Sequence, residues 1–166
     1  MTESAGIRAA ITRLEETDAI KRLKYKYVRC VDSKLWDELA QCFIQEATTT
    51  YGERYSHTGL EAIMDFLRKH NPPEVITMHQ VHQPEIDLTG TDTAKATWAL
   101  EDYVISLKGD WSHRGTAFYY DEYVKVDGEW KTKHTGYKRV FSERWTRSEV
   151  KRLRLTENMH ALPKGD

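Results

Sequence analysis

The chain has 166 residues, with 25 Lys and Arg against 26 Asp and Glu, for a formal charge of −1, and its sequence pI is near 6.7. That length makes a single domain over 1–166 the expectation, because domains cluster at about 100–150 residues. Balanced charge argues against nucleic acid as the main partner, no apolar run approaches the roughly 18–20 residues of a membrane-spanning helix, and the opening MTESAGIRAA lacks a signal-peptide core.

Thr17-Asp18 reads as a helix start, with Thr17 as cap and Asp18 at the positive end of the dipole. Ile20, Leu23, Tyr27, Val28 and Val31 then recur at helical spacing and define a buried stripe. A second, short helix begins at Lys34-Leu35-Trp36-Asp37-Glu38-Leu39 and ends near Cys42-Phe43. The two cysteines, Cys30 and Cys42, fall in this helical region. Two thiols supply neither a disulfide framework nor a zinc site, which points to a reducing cytoplasm. A strand is expected around Thr48–Tyr51. A third helix spans about Leu60–Lys69 with Ile63, Met64 and Leu67 inward, and Asn71-Pro72-Pro73 stops it.

Beyond Pro73 the apolar period changes to two. Gln83–Leu88 reads as a strand entered through Pro84. In Ala94–Leu107 the even positions Ala94, Ala96, Trp98, Leu100, Asp102 and Val104 share one face. Gly115–Val126, Asp127-Gly128 and Glu129–Phe141 form a hairpin signal, since Asp-Gly suits the type I′ turn that matches strand twist. Trp130 and Tyr123 are expected on a solvent face of the sheet, where aromatic patches mark interfaces and so favour self-association. From about 143 to 166 a charged, partly helical tail follows. Helices first and strands afterwards give an α+β class, with N-terminal helices on one antiparallel sheet. Five Trp, nine Tyr and four Phe supply an aromatic interior despite a mean hydropathy of −0.71.

His79 and His82 are the first candidates for chemistry. On a strand, positions three apart face opposite ways, and no carboxylate or thiol nearby completes a ligand set, so no metal site is expected. Asp102 is anomalous within an apolar stripe: it is ion-paired, or its pKa is displaced, or a bulge turns it outward. A regular hairpin opposes Thr116 to Arg139 and Phe118 to Tyr137, which sets Arg139 in an aromatic strip. An odd loop centred on Gly109 pairs Asp102 with Thr116 and aligns Asp102, Thr116 and Arg139. An even loop centred between Gly109 and Asp110 pairs Asp102 with Ala117 instead. The odd loop is preferred because it brings a cation to the buried carboxylate. Tyr27, on the inward stripe, is placed to offer its hydroxyl to a cavity. Asp32 lies about 140° around the helix from it, so the two meet only through the way the helix ends.

Tyr-Val-Arg-Cys-Val-Asp at 27–32, Lys-Leu-Trp-Asp-Glu-Leu at 34–39, Met78-His79 before Pro84-Glu85-Ile86, Leu100-Glu101-Asp102, Ala117-Phe118-Tyr119 and Thr135-Gly136-Tyr137 before Arg139 occur in that order. Over about 18–142 the chain resembles the SnoaL-like branch of the nuclear transport factor 2-like superfamily, and within it the bile-acid 7-alpha-dehydratase type. The resemblance implies a cone-shaped α+β barrel with a curved antiparallel or mixed sheet. Its pocket would carry Tyr27, Asp32, Tyr51, His79, Asp102 and Arg139, with Phe118 and Tyr137 as further substrate contacts. Departures lie in a shorter loop between Leu107 and Gly115, in Lys138, and in a longer, more basic tail.

The activity implied is cofactor-independent elimination of water from a hydroxylated steroid, bile-acid-like or polycyclic enone. His79 would be the base, oriented by Asp32. Tyr27 or Tyr51 would act as hydrogen-bond donor, Asp102 would relay a proton or position substrate, and Arg139 would hold Asp102 or an anionic group. Alternatives are a ketosteroid-isomerase-like or polyketide-cyclase-like enzyme, or a non-catalytic ligand-binding module. The partner expected is a hydrophobic small molecule, and the resemblance implies a homotrimer, with a dimer as the alternative.

Overall fold

A computed structural model describes residues 3–161. Three helices, α1 (Glu3–Asp32), α2 (Trp36–Ala40) and α3 (Leu60–His70), accompany six strands. The strands are β1 (Phe43–Tyr51), β2 (Tyr55–Thr58), β3 (Val75–Leu88), β4 (Thr93–Ser106), β5 (Trp111–Val126) and β6 (Glu129–Thr146). They form one sheet in the order β2-β1-β6-β5-β4-β3, antiparallel throughout except for the β1–β6 pair. Helices against one face of this curved mixed sheet make the α+β cone that the sequence implies.

α1 does not start at Thr17. The helix is already formed at Glu3, and Thr17 lies within it, with Oγ1 donating to the Arg13 carbonyl at 2.8 Å. Nothing in the Ala-, Glu- and Arg-rich stretch before it breaks a helix, so an internal hydroxyl bonds four residues back instead of capping. Its inward stripe runs Ile20, Lys24, Tyr27, Val31, all buried. Lys34 leaves the helix at φ +59°, and α2 starts at Trp36, later than expected. α3 follows the sequence reading, with Ile63, Met64 and Leu67 inward.

The strand that carries Gln83–Leu88 begins eight residues earlier, at Val75. Pro84 does not open it. It falls in a register break between His82 and Glu85, beside Gln83 at φ +42°, because a proline without an N–H is tolerated in a sheet at a bulge. β4 buries Ala94, Ala96, Trp98, Leu100 and Asp102 on one face, as the alternation requires.

Val126 opposes Glu129 around the Asp127-Gly128 turn, as expected. A bulge in β6 near Lys133 then shifts the register, opposing Tyr119 to Tyr137 and Ala117 to Arg139, and a second near Val140 sets Thr116 opposite Phe141. The β4–β5 connection is neither loop considered: Ser106 pairs with Trp111 and Asp102 with Gly115. Tyr123 and Trp130 are buried, not on a solvent face. Tyr123 Oη accepts from Trp98 Nε1 at 3.1 Å and donates to Asp121 at 2.6 Å, and Trp130 Nε1 donates to Glu16 at 2.6 Å. The outer face instead shows Met78, Tyr103, Phe118, Tyr120 and Phe141. The tail, expected to be partly helical, makes turns but no helix over 147–161.

Candidate active site

Strand pairing builds the site in rows. On the inner face Tyr51 opposes Tyr137, Tyr137 opposes Tyr119, and Tyr119 opposes Trp98, so four strands contribute one aromatic band. A second row sets His79 opposite Asp102 and Asp102 opposite Gly115. α1 and α3 close over these rows with Tyr27, Val31, Phe66 and Leu67, enclosing a cavity of about 270 Å³. Tyr27, Tyr51, His79, Asp102, Tyr137 and Arg139 line it.

Asp32 is behind His79. As the last residue of α1 it sends its carboxylate to β3, while Tyr27 meets Tyr51 instead. His79 Nδ1 is 2.7 Å from Asp32 Oδ1, while the His79 N–H and Thr77 Oγ1 each donate to the same carboxylate at 2.8 Å. A carboxylate only accepts, so Nδ1 carries a proton, and in the neutral ring the lone pair of a base is then on Nε2. Three donors on one acid fix the imidazole plane as well as its tautomer.

Asp102 is 3% exposed and ion-paired, the first of the three states its sequence position allows. Arg139 grips it in a fork: Nη1 donates to Oδ1, and Nη2 to Oδ2 at 2.9 Å. The expected row through Thr116 does not form. Arg139 instead opposes Ala117 and reaches diagonally over Gly115. A Cβ at Gly115 would lie 2.9 Å from Arg139 Nη1 and 2.8 Å from the Phe141 carbonyl oxygen, so the missing side chain opens the passage. His113 Nε2 is 3.6 Å from Asp102 Oδ2, and burial lowers this imidazole's pKa although Asp102 opposes the shift.

The phenols form a separate cluster. Tyr27 and Tyr51 hydroxyls are 3.1 Å apart. Burial pushes both, and Tyr119, well above the usual tyrosine pKa, so all three remain neutral hydrogen-bond donors. Beneath them, buried Lys24 Nζ pairs with Asp121 at 2.8 Å and lies 3.5 Å from the Tyr119 ring centroid. Burial lowers the Lys24 pKa against the pull of Asp121.

A family model for the SnoaL-like domain matches residues 12–136. The chain belongs to that family. Among solved structures, this SnoaL-like domain aligns with a candidate scytalone dehydratase from Novosphingobium aromaticivorans DSM 12444 at a TM-score of 0.76 and 25% identity, over 81% of this chain and 90% of that one. Hexachlorocyclohexane dehydrochlorinase LinA-type3 from Novosphingobium barchaimii LL02 aligns at 0.74 and 20%, over 82% and 94%. ActVI-ORFA from Streptomyces coelicolor keeps 0.65 at 10% identity, over 76% and 98%. The last two share the fold. None of these matches singles out the bile-acid 7-alpha-dehydratase type.

Of the eight residues the sequence nominates, six line the SnoaL-like cavity and Asp32 supports one of them. Phe118 is a correction: it points to the outer face and is 41% exposed, because it alternates with buried Ala117 and Tyr119. Tyr119, its neighbour, takes the inner position opposite Tyr137, the bulge between Glu122 and Tyr123 having moved the register by one. Thr77 was legible in principle, being two residues before His79 on the same strand face. Lys24 and Gly115 carried no such signal, since a lysine in a helix stripe and a glycine at a strand start have commoner explanations. No helix among the described residues is long and apolar enough to cross a membrane.

Proposed function

We propose that this SnoaL-like domain is a cofactor-independent lyase that removes water from a cyclic β-hydroxy ketone or its vinylogous enone. The observation that carries the reading is the 2.7 Å His79–Asp32 contact at the wall of an aromatic cavity shared with the Tyr27–Tyr51 hydroxyl pair. His79 Nε2 takes the proton next to the carbonyl, and the released electron pair passes into the carbonyl as an enolate. That pair then returns to form the alkene as the carbon–oxygen bond breaks, and the hydroxyl leaves as water with the proton returned by His79. The neutral phenols donate hydrogen bonds to the developing oxyanion, where a dry site makes them most effective. Atoms and charge balance with no redox partner.

The cavity of about 270 Å³ is just below the roughly 300–1,000 Å³ of small-molecule sites, which favours a compact one- or two-ring substrate. Steroid and bile-acid-like enones form the large end of the range. Asp102 takes a different part from the one first assigned to it. Both its oxygens face Arg139, so it positions that guanidinium at the cavity wall and does not relay protons. This weighs against isomerisation through a free aspartate. The partners proposed are a hydrophobic small molecule and further copies of the chain, through the aromatic outer face.

The test incubates the protein with a panel of cyclic β-hydroxy ketones and 3-oxo-4-ene hydroxysteroids, read by product mass and conjugated absorbance. Loss of water is the expected outcome, and His79→Ala should lower kcat by about 10²–10⁴-fold, the contribution of a general base. A rearranged product of unchanged mass would support the isomerase or cyclase. Saturable binding with no turnover, equal in His79→Ala, would support a ligand-binding module.

A further inference from the structure

The last four carbonyls of a helix have no partner within it, and at the end of α1 each can be followed. The Arg29 carbonyl accepts from Ser33 N at 2.8 Å, Cys30 from Leu35 N at 2.9 Å, and Val31 from Lys34 N at 3.3 Å. This is the closing pattern in which the residue past the helix end turns left-handed, here Lys34 at φ +59°. The fourth carbonyl is that of Asp32. Its partner comes from 128 residues away: His160 Nε2, at 2.9 Å.

The tail is folded to deliver that imidazole. It is pinned first on the β4–β5 connection, where Arg147 N donates to the Asp110 carbonyl at 2.9 Å, Ser148 N donates to Asp110 Oδ1 at 3.1 Å, and Arg147 Nη1 donates to Ser112 Oγ at 2.7 Å. Further on, Asn158 Oδ1 accepts from His160 N at 2.9 Å and the Asn158 carbonyl from Ala161 N at 3.1 Å, a local turn with His160 inside it. The strap therefore links the loop beside cavity-lining Trp111 to the residue that orients His79.

We infer that His160 is a positioning residue: by capping α1 at Asp32 it holds the carboxylate that fixes the His79 tautomer. The inference rests on the acid–base reading of His79 and Asp32. Without His160 the Asp32 carbonyl is the one of these four left without its partner, and because Asp32 is the terminal residue, any loosening there moves its side chain away from Nδ1 first. The tail thus makes its contribution through main-chain geometry and touches no substrate.

The experiment uses the full chain labelled with 15N-histidine. In the parent protein the His79 Nδ1–H, 2.7 Å from Asp32 Oδ1, should give a low-field, slowly exchanging resonance. His160→Ala should speed exchange of that proton about tenfold or more while core amides stay protected, and His160→Gln, which keeps a donor at similar reach, should restore most of the protection. Asn158→Ala, which loosens the turn without touching His160, should give an intermediate effect and serves if His160→Ala fails to fold. With any substrate from the panel above, His160→Ala should lower kcat about three- to tenfold at unchanged KM, the span of one net hydrogen bond. Unaltered His79 exchange in both His160→Ala and Asn158→Ala overturns the inference, even if the protein proves to be a dehydratase. Altered exchange without turnover of any substrate upholds the positioning and removes the lyase assignment instead.

Discussion

Gly115→Ala is the sharpest probe of how the Asp102–Arg139 pair is built. The added methyl would lie 2.9 Å from Arg139 Nη1 and 2.8 Å from the Phe141 carbonyl oxygen. The carbonyl belongs to a paired strand and yields little, so the guanidinium has to move. Asp102, 3% exposed, then keeps only His113 Nε2 at 3.6 Å. Removing one partner of a buried ion pair costs about 3–5 kcal/mol. The Arg139 side chain is 29% exposed and can rehydrate when displaced, which puts the expected loss near the lower end, about 3 kcal/mol. In a chain of this size that corresponds to a fall in Tm of about 6–12 °C. Urea titration followed by tryptophan fluorescence measures it. The same substitution made on top of Asp102→Asn and Arg139→Met should cost at least about 1 kcal/mol less, since contacting sites couple. If the cost persists undiminished there, or is below about 0.5 kcal/mol in the parent chain, the passage over Gly115 is not what holds the pair.

Two further outcomes follow from groups sealed in the core. Burial raises the pKa of Tyr27, Tyr51, Tyr119 and Tyr123, so the folded state favours their neutral form. Their contribution to stability is therefore complete below the unfolded phenol pKa of about 10 and is lost as pH climbs above it. Tyrosinate absorbance should show these four ionising only as the protein unfolds, and their ionisation with the fold intact would contradict this. Burial likewise pushes the Cys42 thiol up to about 11 and raises Cys30, so neither should react with a disulfide reagent at pH 8 before denaturant is added. Reaction of the native protein at the rate of free cysteine would show that the α1–α2 corner opens.

Local chemistry made much of the molecule readable. Alternation alone put Asp102 among Trp98, Leu100 and Val104, and the Asp127-Gly128 turn fixed the first hairpin pair. The misreadings cluster where one residue changes a register. An extra residue near Lys133 turns Tyr137 to the inner face and pairs it with Tyr119, while Phe118 faces out by its alternation with buried Ala117 and Tyr119. A bulge leaves little mark in composition, so the side of the sheet that a residue faces was misread although its strand was identified correctly. The expectation that Tyr123 and Trp130 face solvent failed because both point to the inner face, where Tyr123 is bonded between Trp98 and Asp121 and Trp130 to Glu16 of α1, partners that no local pattern announces.

What the chain encodes by itself is periodic: which stretches are helical or extended, where Pro72-Pro73 and Asp127-Gly128 interrupt them, and which residue types are available for proton transfer. These follow from interactions within a few residues, and they hold whatever the rest of the protein does. The encounter of Asp32 with His79, the reach of Arg139 across Gly115 and the closure of α1 by His160 join positions 47, 37 and 128 residues apart. Only the folded sheet and its bulges set those separations, because hydrogen-bond geometry is decided to within tenths of an ångström and periodicity reads position only to the nearest residue.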